Sequence, residues 1–554
     1  MPIPPPGPPA TPSDPPQSFS QLFLFLPLWL GSQSGRAIGS RVGRKIEEKE
    51  KENEKEKEKE EERRGSVWWR GEGRELAFPS TLPASDAASR LVDPLRREVL
   101  RWLGALVISL CLTACAANPA QVKRPAAETP PAPAEPKPPP EPFPVMTGLD
   151  VLEAQGFRAI TGKRVGLLTH AAARNRAGEH SWTVVSRAPG ATLVMLFAAE
   201  HGIAGLAPAS AVIADQPRGP GGFPVYSIYG KSRRPTSHLL KQIDVMVIDL
   251  QDIGSRSYTF ISAMREALEA CFNAGVEVIV LDRPNPLGGR KVDGPNVDPA
   301  WRSYVGAFPI PYVHGLTMGE LARLALGTPG VLKIDDKVRA RAHLTVVPMR
   351  GWRRTMRWPE TGLTWYPTSP YVKDFASVEG YAMTGLGCLL GGWAHGVGRD
   401  DPFRGLYYPG RSADALVKEL TALGLPGLAF RKVERLNREG RKIHGVLVDI
   451  TDWNALRPTE LSFHLMRLAC AWAPRNPFAA ATVREKQIFL RHVGSAAWWE
   501  ALVREGARVD VAARVSAWSE AAHAFRERSR EFWLYPDTGV PAAIAPAGPA
   551  AIRP

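Results

Sequence analysis

Four apolar runs of strand length, each ending abruptly in charged or polar side chains, constrain this chain more than any other feature. In the clearest, residues 193–199 are apolar throughout and are followed at once by Glu200, His201 and Gly202. Residues 164–168 run into Thr169 and His170, and residues 243–248 run into Asp249, Gln251 and Asp252. Residues 276–281 run into Asp282, Arg283 and Asn285. A strand covered on both faces by helices reads as continuous apolar sequence, as in an all-parallel sheet. In such sheets the chemistry sits just beyond the C-terminal strand ends. Four runs of this design predict one sheet edge lined by Glu200, Asp249, Asp252 and Asp282.

The intervening segments read as helices. Phe260, Met264, Ala267 and Cys271 share a face with Ile261 and Leu268, and Gly275 provides the stop. Thr317-Met318-Gly319-Glu320 opens another helix as a capping box. Alternating β and α predicts the α/β class, with a Rossmann-like parallel sheet domain over residues 146–330. A smaller α+β auxiliary domain is expected over 331–536. Its elements are strands near 344–349 and 445–450, an amphipathic helix around 461–469 and a long helix over 510–532. Trp352, Trp358, Trp365 and Tyr366 alternate there with Arg350, Arg353, Arg354 and Arg357. Aromatic faces stack on sugars and arginine holds carboxylates. Taken singly, each of these reads first as core or as a solvated arginine face.

Several chemistries are excluded. After the first strand the chain reads Thr169-His170-Ala171-Ala172-Ala173, with no glycine fingerprint for a dinucleotide. No phosphate-binding Walker motif, no H-E-x-x-H and no G-x-S-x-G nucleophile elbow occurs. The 11 histidines show no metal-ligand spacing, so neither a metal nor another cofactor is expected. A net charge of +14 permits a nucleic-acid partner. The arginines are scattered, however, and no nucleic acid is expected. Five cysteines make no disulfide framework, and Cys271, Cys388 and Cys470 read as core thiols. What remains is a carboxylate-rich site suited to general acid/base work on a glycosidic bond. Asp282-Arg283-Pro284-Asn285-Pro286 reads as a rigid turn in which Asp282 and Arg283 pair with each other.

The N-terminal part is of another kind. Residues 1–91 combine a proline-rich start with a Lys/Glu block that cannot bury a core. They are expected to be a disordered extension or a mis-assigned gene start, the true start lying near 92–99. Residues 92–115 read as a lipoprotein signal peptide, with Arg96, Arg97 and Arg101 ahead of a short apolar run. The closing Leu112-Thr113-Ala114-Cys115 resembles a bacterial lipobox, which implies lipidation at Cys115. Residues 116–145 form a Pro-rich tether that at about 3.1 Å per residue reaches about 90 Å. Residues 537–554 are expected to be a disordered tail. The expected location is the bacterial cell envelope, on the periplasmic face of a membrane and by preference the outer one.

Five further blocks carry a family resemblance. They are Glu200-His201-Gly202, residues 222–230, residues 249–256, residues 281–289 and residues 314–321. In this order they resemble the NamZ-type exo-β-N-acetylmuramidases, bacterial peptidoglycan hexosaminidases that release N-acetylmuramic acid from non-reducing ends of glycan fragments. The resemblance runs from about residue 148 to 536. It implies a Rossmann-like domain plus an auxiliary domain, with the active site in the cleft between them. It implies Glu200 as general acid, with Asp249, Asp252 or Asp282 orienting or stabilising. The substrate-binding candidates are His201, Tyr226, Arg256, Tyr258, Arg283, Asn285, His314, Trp365 and Arg399. The implied partners are peptidoglycan fragments or muropeptides.

One stretch departs from the family. Where related sequences carry Glu-Gly-Thr-Asn followed by Gly-Arg-Gly-Thr, this chain reads Gly391-Gly392-Trp393-Ala394 and onward, keeping Arg399 and Pro402-Phe403. Likewise Ser369-Pro370-Tyr371 stands where the family has Ser-Pro-Asn. A non-catalytic cell-wall-binding lipoprotein with a degenerate glycosidase fold is therefore the alternative reading. An ester hydrolase is a weaker one, since the nucleophile elbow is missing.

Overall fold

The computed structural model describes residues 144–537, except 398 and 437–439. The extension, the signal peptide with Cys115, nearly all of the tether and the tail after 537 lie outside the described residues. Six strands form one parallel sheet: β1 (Arg164–Thr169), β2 (Thr192–Ala198), β3 (Val225–Ser227), β4 (Val245–Asp249), β5 (Glu277–Leu281) and β6 (Leu344–Val347). Their spatial order is β3-β2-β1-β4-β5-β6. This is the doubly wound order, in which the chain reverses direction across the sheet between β1 and β4. Thr169 pairs with both Ala198 and Asp249, so β1, β2 and β4 end level with one another. His170, Glu200 and Gln251 therefore leave the sheet along the same edge.

The apolar runs are continuous because both faces of the sheet are covered. Met246, Ile248, Val278 and Val280 pack with Phe260, Met264 and Leu268 of the helix Phe260–Ala274. Their sequence neighbours Val245, Val247, Ile279 and Leu281 point the other way, onto Leu149 and Leu152 of the helix Gly148–Ala154. Each fully buried aliphatic side chain contributes about 1.5–3 kcal/mol. The helix Phe260–Ala274 stops at Gly275, whose φ of 72° is the left-handed conformation that glycine tolerates. The capping box at Thr317 is present, with Glu320 closing it onto the Thr317 backbone.

Two elements differ from the sequence expectation. The strand near 344–349 belongs to the parallel sheet as β6, so the sheet extends past residue 330, where the auxiliary domain was expected to begin. β3 was not foreseen, because three residues at a sheet edge leave no periodicity to read.

The remainder holds a small antiparallel sheet, ordered β7-β9-β8, from Gly405–Leu406, Lys442–Ile450 and Leu428–Leu436. A helical region follows: Glu460–Trp472, Val483–Val493, Ala496–Glu505 and Val511–Ser529. Phe463 and Trp498 of these helices share a continuous core with the sheet face beneath Phe260. Arg354 is not part of a solvated face. It is 1% exposed, ion-paired with Glu320, and it stacks 3.8 Å from the Trp533 ring.

Candidate active site at the sheet edge

The switch point between β1 and β4 is bridged by a hydrogen bond. The Gln251 backbone N–H donates to His170 Nε2 at 3.0 Å. His170 must therefore carry its proton on Nδ1, and that atom is buried without a partner. Burial first, then the Arg283 charge, holds the pKa of His170 well below its usual value, so the ring stays neutral. The Gln251 amide N–H group donates to the carbonyls of Asp252 and Pro284, while Oε1 is buried and unpartnered.

Asp252 accepts from the Gly254 N–H at Oδ2, at 2.8 Å, and its Oδ1 has no partner. His314 accepts from the Leu316 N–H at Nδ1, which puts its proton on Nε2. That Nε2 is also unpartnered and lies 3.7 Å from Asp252 Oδ2, too far for a hydrogen bond. Native interiors leave few buried polar atoms unsatisfied. Here six lie on the loops following β1 and β4 and preceding the helix Met318–Gly327: His170 Nδ1, Gln251 Oε1, Asp252 Oδ1, Ser255 Oγ, Arg256 Nε and His314 Nε2.

Glu200 borders these loops. It is 6% exposed and accepts from the Ser210 N–H at 2.7 Å and from the Thr259 hydroxyl at 2.5 Å. The turn that presents it puts His201 at a φ of 70°, uncommon for a residue with a side chain, and His201 Nδ1 is tied to the Ala207 carbonyl at 2.8 Å. The Tyr258 and Tyr381 phenols are both pushed up, by burial first and then by the nearby charges of Glu200 and Asp252. Both carboxylates thus belong to one electrostatic environment. Burial, then the Glu200 charge and the hydrogen bond between the Tyr229 phenol and Glu200, raise Tyr229 to about 12. Arg233 stacks 3.6 Å above the Tyr229 ring and 4.9 Å from Tyr304, and Arg233 Nη1 and the Tyr304 hydroxyl are unpartnered.

The other strand-end carboxylates are saturated by the protein. Asp249 is gripped on both oxygens by Arg283, at 2.5 and 2.8 Å. Asp282 takes four donors: the N–H groups of Arg283 and Gly319 and the hydroxyls of Thr317 and Tyr535. Burial pushes its pKa up to about 6. The expected pairing of Asp282 with the Arg283 side chain does not occur. The helix N-terminus at 317–319 claims the Asp282 carboxylate, and the Arg283 guanidinium turns to Asp249.

Arg256 is likewise a clamp. Its guanidinium donates to the carbonyls of Pro295, Ile310, His492 and Val493, tying the strand loop to the helical region, and burial lowers it to about 10. Asn285 folds its own turn, accepting from the Leu287 N–H and donating to the Leu316 carbonyl. Tyr258 donates to Thr368 at 2.8 Å. Tyr226 is half-buried on β3, and Trp365 stands edge-on to Trp358 at 4.9 Å with its own N–H unpartnered. Arg399 lies 4.4 Å from the Tyr407 ring, with Nη1 free of partners.

Of the sequence candidates, the structure groups Glu200, His201, Asp252 and His314, and builds Asp249, Asp282, Arg283, Asn285 and Arg256 into the scaffold. Sequence reasoning did not assign roles to His170, Gln251, Tyr229, Arg233, Thr259 and Tyr304. The strand-end positions of His170 and Gln251 were the available signal. Among the described residues no group of His, Cys, Asp and Glu side chains could hold a metal ion.

Residues 165–376 match the N-terminal family model of the exo-β-N-acetylmuramidase NamZ, and residues 380–535 match its C-terminal one. The peptidoglycan β-N-acetylmuramidase NamZ of Bacillus subtilis (strain 168) is 34% identical over 364 residues, 65% of this chain and 82% of that protein. A DUF1343 family protein of Bacteroides fragilis NCTC 9343 has a crystal structure with TM-score 0.63 and 36% identity, covering 71% of this chain and 99% of that one. A second such protein from the same organism, at 21% identity, TM-score 0.53 and coverage of 72% and 100%, bears on the fold alone.

Proposed function

The chain belongs to the NamZ exo-β-N-acetylmuramidase family, and on that premise we propose that it releases N-acetylmuramic acid from peptidoglycan fragments through Glu200 and Asp252. Glu200, protonated, gives its proton to the leaving glycosidic oxygen as the bond to C1 breaks, and water completes the hydrolysis. The Ser210 N–H and the Thr259 hydroxyl hold the carboxyl in place. A hydroxyl can donate or accept, so Thr259 accommodates both protonation states of Glu200. Asp252 Oδ1 receives the N–H of the 2-acetamido group. That orients the acetamido oxygen toward C1, where it can act as an internal nucleophile. His314 Nε2–H and the neutral His170 Nδ1–H donate to sugar oxygens.

The observation that carries this reading is the set of unpartnered buried atoms beside Glu200. We place the site in the cleft between the sheet edge and the segment 365–385. The hydrogen bonds of Tyr258 to Thr368 and of Ser257 to Tyr381 across it support this. A lipid anchor at Cys115, with the Pro-rich tether holding the enzyme at the cell envelope, rests on the sequence of residues 96–140. Mass spectrometry of the membrane fraction would detect a diacylated Cys115 peptide; an unmodified Cys115 peptide would remove the anchor.

The test of the chemistry uses the full chain with a chromogenic β-N-acetylmuramic acid glycoside and its N-acetylglucosamine analogue. Release from the muramic substrate alone, falling about 10²–10⁴-fold in Glu200→Gln, is expected. Release that survives in the variant would move the acid role elsewhere. Tight binding without release would favour a binding protein, for which the Gly391-Gly392 departure is the specific motive.

A further inference from the structure

Beside Gln251, and not including Glu200, lies a small pocket with a cavity volume of about 20 Å³. Arg174, Arg176, Gln251, Arg283, Trp358 and Tyr366 supply its chemistry, and no carboxylate lines it. Arg283 is neutralised by Asp249. Arg174 and Arg176 are not in an ion pair with any described residue. Arg174 donates only to the carbonyls of Ala171 and Gly178 while its guanidinium sits 4.5 Å from the centre of the Tyr366 ring. Arg176 donates to the Val145 carbonyl. The Trp358 indole N–H and Gln251 Oε1 are buried without partners. Two uncompensated guanidiniums, an aromatic wall, a spare N–H and a spare acceptor fit an organic anion that also carries an amide or hydroxyl.

We infer that this pocket is a carboxylate subsite that receives the substituent on C3 of the muramic sugar. The inference rests on the proposed function and extends it from the reacting centre to what selects the substrate. Gln251 and Asp252 are consecutive, and Gln251 lines the pocket while Asp252 faces the reacting centre. With C1 turned to Glu200 and the C2 acetamido group held by Asp252, C3 is the ring neighbour that faces away from Glu200, and the inference puts its substituent on the Gln251 side. N-acetylmuramic acid differs from N-acetylglucosamine by the O-lactyl ether at that carbon, whose carboxylate is free or amide-linked to a stem peptide. Both forms present a carboxylate, at different distances from the ring.

Binding to the full-length Glu200→Gln protein, measured by calorimetry, separates this claim from the claim about turnover. The ligands are N-acetylmuramic acid, its lactyl methylamide, N-acetylglucosamine and N-acetylmuramoyl-L-alanyl-D-glutamate. We expect the free lactyl acid to bind about ten-fold more tightly than its neutral methylamide and N-acetylglucosamine. Adding Arg176→Met or Arg174→Met should abolish that preference while leaving N-acetylglucosamine binding unchanged. Arg176 is exposed, so its variant reports even where loss of Arg174 loosens the loop. If the peptide-bearing sugar alone shows the arginine-dependent preference, the carboxylate is that of the stem. If the peptide-free acid shows it, the carboxylate is the lactyl one. A preference for the acid that survives both arginine variants, or no preference in either form, overturns the subsite. Failure of turnover with this binding pattern intact would overturn the proposed function and leave the pocket standing.

Discussion

Glu200 and Asp282 occupy equivalent places in the sequence, yet the fold uses them in opposite ways. Each follows a buried parallel strand, and each is nearly inaccessible to solvent. Asp282 receives four donors, one of them from Tyr535, 253 residues away. It pins the C-terminal segment and a helix N-terminus to the end of β5. Glu200 is held by the Ser210 N–H and the Thr259 hydroxyl, with the Tyr229 phenol hydrogen-bonded beside it, and it lies near groups whose hydrogen bonds are incomplete. A carboxylate with every lone pair filled holds structure. On the proposed function, one beside other unsatisfied groups serves the ligand instead.

Removing a scaffold partner tests the contrast most severely. Arg283→Met leaves Asp249 buried and unpaired, and should cost about 3–5 kcal/mol of stability, read by urea unfolding. A loss under 1 kcal/mol would mean that Asp249 is not structural. On the ligand side, Asp252→Asn should lower kcat/KM on the muramic glycoside about 10²-fold, equivalent to about 2.7 kcal/mol, with the melting temperature held. An equal drop in melting temperature would instead place Asp252 with the scaffold. Tyr535→Phe removes one of the four donors to Asp282 and the acceptor for the Met349 N–H. About 1–3 kcal/mol of stability should be lost, with activity per folded molecule retained.

Acidity sharpens the comparison further. Burial lowers both His395 and His492 to about 4, so they stay neutral in the fold while the unfolded chain protonates them below about 6.5. Their contribution is full above pH 6.5 and is lost as pH falls from there to about 4. Asp282 acts with the opposite sign. Its folded pKa of about 6 means that the fold holds a proton which the unfolded chain has lost, so its contribution declines as pH rises from about 4 to 6. Unfolding free energies at pH 4, 5, 6 and 7 should therefore fall toward acid, and fall more steeply in Asp282→Asn.

Much of the fold could be read from local pattern. β1, β2, β4 and β5, the helix Phe260–Ala274 with its glycine stop, and the capping box at Thr317 rest on contiguous residues. β8 was not legible, because Arg431, Lys432, Glu434 and Arg435 stand on both sides of it and only Val433 is buried. The strand-end acids stood out in the sequence, but their hydrogen-bond partners did not. What distinguishes Asp249 and Asp282 from Glu200 is the donors that reach them: Arg283, Gly319 and Tyr535 come from 34, 37 and 253 positions away. The hydrogen bonds of Arg256 and Asn285 were out of reach for the same reason, since their partners are backbone carbonyls and N–H groups that no side-chain pattern reveals.

The most direct test sets the two carboxylates side by side. Glu200→Gln and Asp282→Asn are compared on the chromogenic muramic glycoside, with rates divided by the folded fraction and melting temperatures recorded for both. The account predicts that Glu200→Gln keeps its melting temperature and loses turnover, whereas Asp282→Asn melts earlier and turns over normally per folded molecule. Full turnover in Glu200→Gln, or lost turnover in an Asp282→Asn protein of unchanged stability, would contradict it.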